Sequence, residues 1–141
     1  MSTENKTVDL VVEANVAYGM IIQISDVTVT NGINVANTPV NITGASFRGS
    51  IRKELSSTSP LIENFSIAVQ SPTDGIALIR LTKAQTQNIM SKASTQRDKY
   101  NPRIRFVGYY DILMTRAPAA GEALEFRILE GKLYVSDGVT S

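Results

Sequence analysis

A chain of 141 residues with 14 Lys and Arg against 13 Asp and Glu carries a formal charge of +1, too weak a field to demand nucleic acid or an anionic membrane. It has no His and no Cys, which removes the commonest general base and transition-metal ligand together with thiolate nucleophiles, disulfides and thiolate zinc sites. A hydrophobic content of 43% suits one globular domain whose core needs neither metal nor staple, and any catalysis would have to run on Asp, Glu, Lys, Tyr or Ser.

Residues 1–7 are polar and are expected to fray. They lack the basic segment and apolar run of a secretory leader, and no stretch of the chain approaches the ~18 apolar residues of a membrane span. Sequons at Asn5, Asn41 and Asn64 therefore carry no weight without a secretory context. Val8, Leu10 and Val12 alternate as a first strand would, and Tyr18, Met20, Ile22 and Ile24 form the inward face of a second. The Thr-, Asn- and Val-rich stretch 27–39 around Asn31-Gly32 reads as a small hairpin or an elaborated loop.

Ile42, Phe47, Gly49 and Ile51 define a face opposite Ser46, Arg48, Ser50 and Arg52, the pattern of a half-buried antiparallel strand. After a Ser/Thr/Pro loop at 55–60, Phe65, Ile67 and Val69 mark another strand. The turn cluster Ser71-Pro72-Thr73-Asp74-Gly75 then predicts an antiparallel return over 76–82, with Ala77, Ile79 and Leu81 inward. Thr82 stands where an N-cap belongs, so Lys83 to Met90 is the one helix candidate, docked by Ile89. Residues 91–103 are polar and read as a protruding loop. Ile104 to Thr115 is the longest strand, a flexible turn covers 116–121, and Leu124 to Val135 completes the sheet. The apolar phase changes near Gly131, which predicts a bulge there.

Short strands punctuated by turns, with a single helix and no βαβ unit, indicate an all-β fold: an antiparallel β-sandwich over residues 8–136, with 91–103 inserted and 137–141 a flexible tail. Ile42-Thr43-Gly44-Ala45-Ser46-Phe47-Arg48, then Asp74-Gly75 before a strand ending Leu81-Thr82, then Gln85-Thr86, then Tyr110-Asp111-Ile112, then Leu129-Glu130-Gly131-Lys132 with Val135-Ser136, occur in this order. Together they resemble a small module encoded near tail-fibre genes in tailed bacteriophages, over roughly Asp9 to Thr140. The resemblance implies an immunoglobulin-like β-sandwich and a virion part of the baseplate or tail-fibre attachment apparatus, present in multiple copies and made in the cytoplasm of the bacterial host. It brings no catalytic residues. The stretches 91–103 and 27–37 are longer than such modules usually have, and insertions of this kind are where docking contacts are built.

Strict alternation along 104–115 places Val107, Tyr109 and Leu113 away from a core set of Gly108, Tyr110, Ile112 and Met114, and Ile76 and Leu78 are similarly apolar on an outward face. An outward apolar set suggests contact with another chain; the plainer alternative is cover by a loop or by the N-terminal segment. The basic loop with Lys92, Arg97, Lys99, Tyr100, Arg103 and Arg105 has too few aromatics and no motif for nucleic acid, and reads better as solvated or as a contact to an acidic neighbouring subunit. Glu122, Glu125 and Glu130 read as strand-face acids balancing Arg127 and Lys132. Asp26, Asp74 and Asp111 lack the spacing of a calcium loop, so no metal and no cofactor is assigned.

The expected function is non-enzymatic docking to other virion proteins of the baseplate or tail fibre. Alternatives are a capsid head decoration or cement protein, and a receptor or carbohydrate-binding module, the last weakened by an aromatic content of 6% without Trp.

Overall fold

The computed structural model describes residues 6–30, 33–116 and 124–138. In chain order they form β1 (Lys6–Thr7), β2 (Leu10–Glu13), β3 (Tyr18–Gln23), β4 (Ser25–Thr30), β5 (Ile33–Pro39), β6 (Ser46–Arg52), β7 (Leu61–Ser71), β8 (Ile76–Leu81), α1 (Lys83–Ser91), β9 (Ile104–Arg116) and β10 (Leu124–Ser136). The main path runs β1-β10-β9-β6-β7-β8-β3, β2 also lies against β10, and β4 and β5 pair as a separate antiparallel hairpin. That hairpin answers the stretch around Asn31-Gly32, a dipeptide that lies outside the described residues, as do the terminal segments 1–5 and 139–141 and most of the turn expected at 116–121.

The path folds into two layers because β7 serves both. Its residues up to Phe65 pair with β6, and from Ser66 onward they pair with β8. One layer is therefore β1 and β2, β10, β9, β6 and the first half of β7; the other is the second half of β7, β8 and β3. Ile51, Ile112, Met114, Leu133 and Val135 from the first layer and Ala77, Ile79 and Leu81 from the second are buried between them. This is the expected all-β sandwich, and the alternation read along β3, β6 and β8 matches the residues that face the core, those of β3 being half-buried. Thr82 caps α1 as expected: its hydroxyl accepts from the Gln85 N–H at 3.2 Å while the Gln85 side-chain oxygen accepts from the Thr82 N–H at 2.8 Å. Ile89 then closes one end of the core.

Several expectations are corrected. The sheet is not wholly antiparallel, since β1 and β2 run parallel to β10, with Lys6 opposite Leu129 and Leu10 opposite Leu133. Lys6–Thr7, expected to fray, are part of that pairing. The bulges fall at Ile128 on β10 and at Val107 on β9, and Gly131 sits in regular register opposite Tyr110. Gly131 serves another purpose. Between β1 and β2 the chain passes over it: the Val8 N–H donates to the Glu130 carbonyl at 2.8 Å, and the Val8 carbonyl accepts from the Tyr110 hydroxyl. A Cβ on residue 131 would lie 2.1 Å from the Val8 oxygen. Burial raises the Tyr110 pKa, with Tyr18, Asp9 and Glu130 adding to the shift, which keeps the hydroxyl a donor.

The same bulge at Val107 overturns strict alternation along β9. Opposite Leu133 stands Gly108 and opposite Tyr134 stands Phe106, so Val107 is the extra residue. Val107 turns inward and is 2% exposed, so it is withdrawn from any contact surface.

Gly131→Ala should cost about 1–3 kcal/mol by forcing the Val8 crossing apart, whereas Gly19→Ala, whose Cβ would meet nothing closer than 3.9 Å, should stay within ~0.5 kcal/mol. Urea unfolding of the two variants beside the wild type checks this.

Candidate functional site

The outer face of β6, β9 and β10 is concave, with a groove of about 920 Å³. Register across these strands lays its side chains out in rows. Arg48 and Arg127 flank Leu113; Ser50 and Glu130 flank Asp111; Arg52 and Lys132 flank Tyr109. Charge therefore alternates along the strands, cationic, then acidic, then cationic, while Leu113 and Tyr109 form half-buried parts of the floor.

Neighbouring rows neutralise one another. Arg48 pairs with Glu125, and the Arg127 guanidinium lies 3.1 Å from Asp111 and 3.6 Å from Glu130. These pairs are exposed, so each adds at most about 1 kcal/mol to stability. Their effect is to hold long side chains in a defined relief around the apolar floor. The acids expected to balance Arg127 and Lys132 do so in part: Glu130 reaches Arg127, but Glu125 reaches across to β6, and Glu122 lies outside the described residues.

One margin of the groove is raised by the loop after β6. The Arg52 guanidinium donates to the Ser59 carbonyl at 2.7 Å, and the Ser59 hydroxyl accepts from the Glu54 N–H at 2.9 Å, which ties the loop back to the end of β6. Leu55 in that loop lines the groove and is 79% exposed. At the same end, where Tyr109 stands opposite Arg52, the Tyr109 ring meets Phe106 edge-on at 5.4 Å, and Phe106 meets Tyr134 at 5.7 Å just beyond the groove lining. Sequence reasoning missed Leu55, Phe106 and Tyr134. Phe106 faces outward because the Val107 bulge reverses the phase, and no residue pattern flags that bulge in advance.

The other expected contact residues lie elsewhere. Ile76 and Leu78 are half-buried on the outer face of the second layer, where Leu78 stands between Ile21 and Ala68. Arg97, Lys99, Tyr100 and Arg103 belong to the segment after α1, which does not simply protrude. It folds back on β9: the Ser94 N–H donates to the Phe106 carbonyl at 2.7 Å and the Asp98 N–H to the Ile104 carbonyl at 2.9 Å. Asp137, expected in a flexible tail, fastens this segment, with Arg97 and Arg105 each 2.7 Å from its carboxylate. Hydrogen bonds from those two guanidinium groups hold the Asp137 pKa below the ordinary carboxylate range. Lys99 and Tyr100 remain at the tip, the Lys99 ammonium 5.6 Å from the ring centre and Tyr100 88% exposed.

Among the described residues no group of three or more Asp and Glu is placed to hold a metal ion, and no helix is long and apolar enough to cross a membrane. A family model described as "LtfC-like, beta-sandwich domain" matches residues 4–136. The chain belongs to the LtfC-like family. LtfC is a phage tail-fibre-associated protein, which agrees with the resemblance drawn from the strand ends and turns and supports a tail-fibre-related structural module. The LtfC-like match spans β1 to β10, so the groove and the folded-back segment lie within the family domain, and Asp137 immediately follows its last matched residue. No curated protein matches the chain.

Asp137→Asn should loosen the folded-back segment at neutral pH. Because the folded-state pKa of Asp137 is lowered, its stabilisation is present above the ordinary carboxylate pKa and is lost as pH falls through the folded value. The difference in unfolding midpoint between wild type and Asp137→Asn should therefore be largest near neutrality and vanish in acid, as a pH series of thermal melts would register.

Proposed function

We propose that this protein is a non-enzymatic structural component of a phage virion, an immunoglobulin-like sandwich that docks on the tail-fibre attachment apparatus or baseplate. The observation that carries the reading is the groove on the outer face of β6, β9 and β10, floored by Tyr109 and Leu113, rimmed by Leu55 and banded by alternating charge.

The chemistry of that groove favours a protein partner. A phosphate backbone would meet Asp111, Glu125 and Glu130 as often as the cations, and a sugar would find Tyr109 without a second ring to stack against on the opposite wall. A peptide segment of a neighbouring virion protein can bury its apolar side chains on Leu113, Tyr109 and Leu55 while its polar groups exchange with the banded charges at the rim. Apolar floor supplies affinity, and the fixed order of charged rows supplies register. Repetition around a symmetric particle multiplies such contacts without requiring each one to be tight. Family membership supports the tail-fibre setting, and the lack of His and Cys supports a role without turnover.

Replacing Tyr109→Ala together with Leu113→Asp should leave the isolated domain folded, since both side chains face out of the core, and should lower incorporation into tails by about tenfold or more. Mass spectrometry of particles after heads and tails are separated, with circular dichroism of the purified variant, provides the measurement. Undiminished incorporation would remove this surface from consideration, and enrichment with heads would redirect the role to capsid decoration.

A further inference from the structure

On the side of the sandwich away from the groove, β3 ends the sheet path with β8 as its one neighbouring strand among the described residues. Ladder geometry says which of its backbone groups are spare. The Ile24 N–H donates to the Gly75 carbonyl at 2.8 Å in the same register that sets Gln23 opposite Ile76, so the even-numbered residues of β3 face β8. The N–H and C=O groups of Gly19, Ile21 and Gln23 then point to the free edge. Sheet edges are normally guarded by a charge, a proline or a bulge. Tyr18-Gly19-Met20-Ile21-Ile22-Gln23 contains no charge and no proline, and it pairs with β8 without a bulge.

The side chains along this edge are also incompletely covered. Tyr18, Met20 and Ile22 pack against the core but are only half-buried, and Ile21 on the outer face is 70% exposed beside Leu78 and Ala68.

We propose that this edge pairs antiparallel with the same edge of a second copy of the chain, centred on Ile21 opposite the second copy's Ile21. The register follows from the spare groups. With Ile21 on the two-fold axis, Gly19 stands opposite the second copy's Gln23, and every residue whose N–H and C=O face the edge meets another of the same kind. On the outer face the row Ala68-Leu78-Ile21 continues into its mirror sequence Ile21-Leu78-Ala68, an unbroken apolar stripe across both copies. On the inner face Met20 comes opposite Ile22, which covers the half-buried edge of the core. The absence of charge on β3 means that the two-fold axis brings no like charges together. A second copy suits the edge because it is self-complementary in both hydrogen bonding and side-chain order. The inference does not rest on the docking surface around Tyr109, which lies on the other layer.

The test uses the full chain, which has no native thiol. Residues directly opposite in a hydrogen-bonded antiparallel pair lie about 5.5 Å apart between Cα atoms, within disulfide reach. The two copies of residue 23 would stand about 13 Å apart along the strands, beyond it. Mild oxidation should therefore crosslink Ile21→Cys into a dimer and leave Gln23→Cys monomeric, with circular dichroism showing both folded. Sedimentation of the wild type should show a concentration-dependent dimer that Ile21→Lys abolishes. A wild-type chain that sediments as a monomer at its highest soluble concentration, no crosslink at position 21, or equal crosslinking at both positions overturns the proposal.

Discussion

The sandwich depends on one junction, where the aromatic ring of Phe65 lies over Gly49 and meets Tyr110 edge-on, with ring centres 6.0 Å apart. Phe65 is the residue at which β7 leaves β6 and joins β8. A strand that changes layers must turn its apolar side chains through the seam between two sheets, and a bulky ring there fills the gap only if the facing position has no side chain. A Cβ at Gly49 would come within 3.0 Å of both Phe65 and Ile112. Tyr110 extends the same contact to the far edge, because its hydroxyl holds the Val8 carbonyl. Layer closure and the N-terminal strands thus share one chain of packed groups, Gly49 to Phe65 to Tyr110 to Val8.

Much of the fold was legible in the sequence because alternation records burial directly. The inward faces of β3, β6 and β8, the turn at Ser71 to Gly75 and the Thr82 cap were all readable from residue type and spacing. Two features escaped that reading for the same reason. Parallel pairing of β1 and β2 with β10 leaves no local signature, since the partners are more than a hundred residues apart. A bulge adds a residue without a characteristic composition, so Val107 and Phe106 exchanged roles unseen.

The candidate site was legible only in fragments. Tyr109 and Leu113 could be picked out as apolar residues on an outward face, but their setting between cationic neighbours comes from pairing with β6 and β10, which sequence spacing does not contain. Ile76 and Leu78 were singled out by the same rule and fall on the opposite layer, so one pattern pointed to two surfaces. The folded-back segment after α1 reads as polar and loose because its anchor, Asp137, is more than thirty residues away and is itself polar. Distant ion pairs of this kind are invisible to any argument from periodicity.

The parallel pairing of β1 and β2 with β10 also sets how the domain would carry a mechanical load. Lys6 stands opposite Leu129 and Glu13 opposite Ser136, so the strands nearest the two ends of the domain lie side by side and point the same way. Tension drawing residue 6 and residue 136 apart would slide these strands past each other along their length. Their cross-strand hydrogen bonds would then be strained together, in shear, where an antiparallel terminal pair pulled from one end would open bond by bond. The domain is geometrically a clamp for longitudinal pull.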